Sequence, residues 1–212
     1  MRRLIVLLAF VAVCTPALAG AARAAARSAR DEANLVATRF LVAAALGDRR
    51  AACELYPRFA SCRRGERFVG PSHFHVLAIT VGRDRTVVRV SVGPNRGAIV
   101  LERADDSFVI VTAPNVLRTI GAPREATADL VVTRFLVAAA LGDRGTACAL
   151  YPSYFPCSQG GPMVGSANFE VVSTSLADPV RPAVFASVDG LRGYFVLERR
   201  HGSLRIVSAE LD

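Results

Sequence analysis

Few residues of this 212-residue chain are equipped for chemistry, and most of those occur twice. Cys53 and Cys62 are separated by eight residues, and Cys148 and Cys157 repeat that spacing. No C-x-x-C pair occurs, so a four-cysteine zinc site is disfavoured. Four thiols allow three pairings. Bonds within each half, Cys53–Cys62 and Cys148–Cys157, are expected, because a duplicated unit had to be complete before it was copied. A loop of about ten residues closed this way contributes roughly 2–3 kcal/mol in the chain-entropy picture. His73 and His75 form an H-x-H pair able to share one face of a strand, but the sequence offers no third ligand. Asp105 and Asp106 read as turn residues, so no metal site is expected. Tyr56 and Tyr151 recur, as do Glu102 and Glu198. These four residues, with His75, are the candidates for facing a ligand. A glutamate inside a cavity would act as a general base, and pairing with Arg89 or another strand arginine is the structural alternative. Arg58, Arg63, Arg64 and Arg67 surround Cys62 and offer an anion-contact patch, for which the alternative is a variable surface loop. Nucleophile-elbow, phosphate-loop and dinucleotide motifs are missing, no catalytic residue is identified, and no cofactor is indicated.

Behind these pairs lies a duplication. Leu35–Cys62 returns as Leu130–Cys157, with 20 of 28 aligned positions identical. Gly97–Arg103 corresponds to Gly193–Arg199 with an offset of ninety-six rather than ninety-five, which places one inserted residue between Val171 and Gly193. The expected organisation is a leader over residues 1–19, an Ala/Arg-rich stem over 20–30, a first repeat over 31–113, a linker over 114–125 and a second repeat over 126–212. The leader has a basic start, an apolar run Leu4–Val13 and small residues near Ala19, the order of a secretory signal peptide. An uncleaved membrane anchor is the rival reading. Export to a secreted or envelope location agrees with cysteines that pair.

The net charge is +8, and every basic residue is arginine. Residues 31–113 hold 12 Arg against 9 acids, whereas 126–212 hold 7 against 8, so basicity belongs to the stem and the first repeat. Such a surface is compatible with anionic envelope polymer or lipid. There is no basic stripe interleaved with aromatics, so nucleic acid is not expected as a partner.

Each repeat opens with an apolar helical stripe (Val36, Phe40, Ala43/Ala44 in the first), stopped at Gly47. Asp48 caps a short second helix that Pro57 ends, with Cys53 on that helix and Cys62 in the loop behind it. Four short strands follow, separated by turn residues, which predicts an antiparallel meander. Phe74/Val76/Ala78, Val88/Val90/Val92, Ile99/Leu101 and Phe108/Ile110 are assigned to the helix side. The other face carries Leu77, Ile79, Val81, Val87, Val100, Val109 and Val111, too apolar for a solvated surface. The other repeat's sheet is the expected cover, giving an α+β fold of two helix-on-sheet units paired within the chain about an approximate twofold axis.

Phe40–Asp48 followed by Ala52-Cys53-Glu54-Leu55-Tyr56, repeated at Phe135–Asp143 and Ala147–Tyr151, resembles the signature of the nuclear transport factor 2-like superfamily, a cystatin-like cone, in small exported bacterial proteins. The resemblance implies a helix pair on a curved four-stranded sheet. It does not choose a function, since the superfamily includes isomerases, hydratases and cyclases beside binding modules. The expected role is a non-catalytic envelope or extracellular module for a protein partner or small apolar ligand. Alternatives are a small isomerase- or hydratase-like enzyme, or attachment to anionic wall polymer or lipid.

Overall fold

The computed structural model describes residues 15–65, 70, 73–105, 107–113 and 127–212. The basic start and apolar core of the predicted leader, Arg67 and the linker lie outside them. Among the described residues no helix is long and apolar enough to cross a membrane.

In the first repeat the elements are α1 (Thr15–Leu46), α2 (Arg49–Leu55), α3 (Ala60–Arg64), β1 (Phe74–Val81), β2 (Arg85–Val92), β3 (Asn95–Ala104) and β4 (Ser107–Thr112). The second holds α4 (Ala128–Leu141), α5 (Arg144–Leu150), α6 (Phe155–Gln159), β5 (Phe169–Ser175), β6 (Ala183–Val188), β7 (Leu191–Arg200) and β8 (Ser203–Leu211). Each repeat forms one four-stranded antiparallel sheet in sequential order. The stem over 20–30 is helical and continuous with the first repeat's helix, as its alanine and arginine content favours.

The duplication reaches fine detail. Asp48 Oδ1 accepts a hydrogen bond from Ala51 N at 3.1 Å, and Asp143 Oδ1 accepts one from Thr146 N at 3.0 Å. Both carboxylates thereby satisfy an N–H that the helix start leaves orphaned. Gly47 and Gly142 take positive φ at the helix stops, where a Cβ would cost about 1–2 kcal/mol. The cysteines pair within repeats, with Cα–Cα distances of 5.6 Å for Cys53–Cys62 and 5.5 Å for Cys148–Cys157. Cys62 and Cys157 sit on the one-turn helices α3 and α6 rather than in loops. Each bond therefore staples two short helices together.

The helix-side strand residues assigned from alternation pack as expected, apart from Ala78. A β-bulge between Val76 and Ala78 advances the phase, so Ile79 turns into the core. A bulge inserts one unpaired residue and flips everything beyond it to the opposite face. The same bulge recurs in β5 between Val171 and Ser173. The extra residue of the second repeat falls in the β5–β6 turn, where the paired ends lie at Ser175 and Ala183.

Sheet-to-sheet stacking is not how the repeats meet. Leu77 and Val81 of the first sheet and Val172, Phe185 and Tyr194 of the second are exposed. Instead α1 packs on α4, and the sheets approach each other at β1 and β5. Val42, Ala45 and Leu130 form a small apolar cluster joining the two helices. The stretches 40–45 of α1 and 135–139 of α4 are buried throughout, because one side covers a sheet and another meets the partner helix. The apolar outward strand residues shelter one another instead, as Val87 does opposite Val100.

Candidate functional site

The contact between repeats leaves a cleft of about 340 Å³ between β1 and β5, floored by α1 and α4. Arg30, Asn34 and Thr38 line it from α1, and their i, i+4 spacing puts them on one helix face. Thr133 contributes from α4. Strand β1 lines it with the unbroken run Phe74–Ile79, and the other repeat does so with Asn168–Val171. Successive strand side chains point to opposite faces, so an unbroken run along a cleft means that the strand edge itself borders it. Among the described residues neither edge carries a further strand, since β1 pairs only with β2 and β5 only with β6. The bulges interrupt both edges at Leu77 and Val172, which works against their joining into one sheet.

His75 and Glu170 hold the same place in the two repeats, and both line this cleft. Asp31 adds a second carboxylate and Arg30 a cation. Asn34 is buried to 9 % exposure, and its Nδ2 donates to Ala167 O across the repeats at 2.9 Å. Its counterpart in the second repeat is Asp129, whose Oδ2 lies 3.0 Å from His73 Nδ1. Each helix thus reaches over to the segment entering the other repeat's first strand. Sequence reasoning missed this reciprocal pair. The available signal was a polar residue, Asn34 or Asp129, at the same place in both repeats, just ahead of the shared apolar run.

Of the predicted ligand-facing residues, His75 alone faces the cleft. Its neighbour His73 is engaged by Asp129, and no cluster of three metal-ligating side chains occurs among the described residues. Tyr56 stacks on Phe59 at 5.6 Å and meets Phe40 edge-on at 5.8 Å. Tyr151 repeats this with Tyr154 at 5.9 Å and Phe135 at 5.5 Å. Both tyrosines fasten the second helix to the first. Glu102 and Glu198 stand on outward sheet faces in separate sheets. Glu102 pairs with Arg85 at 2.7 Å, not with Arg89, because β2–β3 register sets Arg85 directly opposite. Glu198 pairs with Arg200 at 2.9 Å. Arg58, Arg63 and Arg64 are exposed at the first staple.

Ordinary titration is disturbed in few places. Hydrogen bonds from the Thr146 backbone and side chain, aided by Arg134 and Arg39, hold the Asp143 carboxyl below its usual range despite partial burial. Burial raises Tyr154, whose hydroxyl donates to Val164 O. Tyr194, on the outer face of the second sheet, is raised by its hydrogen bond to Glu210.

No protein-family model matches the chain, and no curated protein does. Among solved structures, an "Ntf2 like protein involved in plasmid conjugation" aligns over 77% of this chain and 86% of its own, at 8% identity and a TM-score of 0.21. That similarity is too slight to carry an argument. The α+β arrangement of helices over two antiparallel four-stranded sheets stands on the structure itself.

Proposed function

We propose that the protein is an exported, non-catalytic binding module built from two nuclear transport factor 2-like units, and that it holds an extended segment of a protein partner in the cleft between them. The observation that carries this reading is the unbroken lining of the cleft by two strand edges that pair with no further strand among the described residues. A peptide laid along such an edge gains main-chain hydrogen bonds, while flanking side chains select its sequence. His75, Glu170 and Asp31 would supply that selection, favouring a segment with a basic residue. The interiors of the units are filled by Phe40, Ile99 and Leu101 in one and Phe135, Phe195 and Leu197 in the other. The recurring glutamates are engaged by arginines on open faces, which supports binding over catalysis. Disulfides in both units fit a secreted or extracellular setting.

The test is titration of the full chain with a pool of extended heptapeptides, followed by hydrogen exchange. Saturable binding that slows amide exchange in 74–79 and 169–172, and that weakens at least tenfold in Glu170→Ala, is expected. Protection confined to other elements, or affinity indifferent to both His75→Ala and Glu170→Ala, would overturn it. A second reading, proton transfer between His75 and Glu170 on a small substrate, rests on their sharing the cleft. It requires isomerase or hydratase turnover that Glu170→Gln abolishes.

A further inference from the structure

The second repeat serves as an internal control for the first, and the surface around the staple differs from that control in charge. Arg49 and Arg144 occupy the same place and do the same structural work. Arg49 Nη2 donates to Cys62 O at 3.2 Å, and Arg144 donates to Pro156 O at 2.6 Å and Gly161 O at 3.0 Å. Four more arginines crowd the first staple: Arg50, Arg58, Arg63 and Arg64. Their counterparts are Gly145, Ser153, Ser158 and Gln159. The second repeat builds the same helices, caps and disulfide without them. They are therefore not needed for this local fold. Residues 48–65 carry five arginines against Asp48 and Glu54, net +3, whereas 143–160 carry Arg144 against Asp143, net zero.

These arginines are held on a rigid frame. The Cys53–Cys62 bond fixes α2 against α3, and Arg49, Arg50, Cys53, Glu54 and Cys62 line a shallow groove between them. Glu54 is engaged by Arg50 at 3.2 Å. Arg58 and Arg63 are exposed and meet no carboxylate among the described residues. Guanidinium groups bind phosphate oxygens in bidentate fashion and stay charged at any physiological pH. Membrane docking commonly adds exposed aromatic or aliphatic side chains that enter the lipid. Here Phe59 is buried and Tyr56 half-buried within the aromatic cluster.

We infer that the α2–α3 staple of the first repeat is a docking surface for a phosphate-bearing anionic polymer, separate from the cleft. The probe is long-chain inorganic polyphosphate, with the full chain purified under oxidising conditions. Binding should fall steeply with salt, because each phosphate contact releases counterions. Replacing Arg58, Arg63 and Arg64 with their second-repeat counterparts (Arg58→Ser, Arg63→Ser, Arg64→Gln) should lower affinity at least tenfold at low salt. The log–log salt slope should become shallower by about two, given roughly 0.7 per lost contact on a flexible strand. Thermal unfolding should barely change, since the second repeat tolerates those residues. The converse exchange, Ser153→Arg with Ser158→Arg and Gln159→Arg, should add a second polymer-binding equivalent. Unaltered affinity and slope in the triple variant would overturn the inference. So would binding to vesicles containing phosphatidylglycerol with none to polyphosphate, which would assign the surface to a membrane.

Discussion

The two repeats share a frame and differ in what they show to solvent. On the outer face of the first sheet Arg89 stands opposite Ala98; at the same place in the second, Phe185 stands opposite Tyr194. Around the staples the contrast runs from a cluster of arginines to serine, glycine and glutamine. Meanwhile the caps, helix stops, disulfides, aromatic clamps and edge-strand bulges were all kept. The lesson is that the duplicated residues define the folding unit and the diverged ones define surfaces. A feature present in both copies needs a structural explanation before a functional one. Tyr56/Tyr151 and Glu102/Glu198, attractive as candidates because they recur, fall on the structural side by that rule. His75/Glu170, which differ, line the cleft.

The comparison can be broken most forcefully at close backbone approaches. A Cβ on Gly165 would lie 2.3 Å from Ala139 C, and one on Gly193 would lie 1.8 Å from Glu210 O. Gly165→Ala and Gly193→Ala should each destabilise by about 3 kcal/mol or more, at or above the upper end of overpacking costs, measured by urea unfolding. Gly70 matches Gly165 in sequence and donates its N–H to Ala44 O at 2.7 Å. Gly70→Ala should therefore be comparably damaging if the frames are equivalent.

Next come the staples. The two disulfides close loops of identical length, so opening either one, by Cys53→Ala/Cys62→Ala or by Cys148→Ala/Cys157→Ala, should cost about 2–3 kcal/mol by calorimetry. Unequal losses would show that the repeats differ in more than surface. Asp48→Ala and Asp143→Ala should each cost about 1 kcal/mol as lost helix caps. For Asp143 the effect should also depend on pH. Its folded pKa lies below the unfolded value of about 3.9. The stability it provides is thus fully present above that value and fades as pH falls through the lower folded one. Wild type and Asp143→Ala should converge in strong acid.

Tyr154→Phe should cost about 1 kcal/mol for the hydrogen bond to Val164 O. Phe59 holds the same place in the first repeat without a hydroxyl. Smallest of all, Arg85→Ala removes a pair whose arginine is 67% exposed, and a change below about 1 kcal/mol is expected.

Much of the frame was legible because it rests on short-range rules. Gly47 stops a helix, Asp48 starts another, and cysteines nine positions apart pair within their unit. Register was harder. One bulge at Leu77 carried Ile79 to the opposite face, and alternation alone holds no signal for a bulge that keeps apolar residues on both sides. The way the repeats meet was harder still. Apolar residues on the outer faces pointed to stacked sheets, yet the helices provide the contact, because Val42, Ala45 and Leu130 compete for the same burial. The site followed that error. A cleft made by two strand edges exists only once the units are placed, so His75 was visible from its spacing and Glu170 was not.

The helix-to-helix cluster also has a bearing on ancestry. A single-copy forerunner would have carried the same apolar ridge with nothing of its own to lay against it, and two such chains would have satisfied each other. Fusing the genes would then have freed one copy to change its chemistry while its sibling kept the old face, something an obligate pair of identical chains can never do.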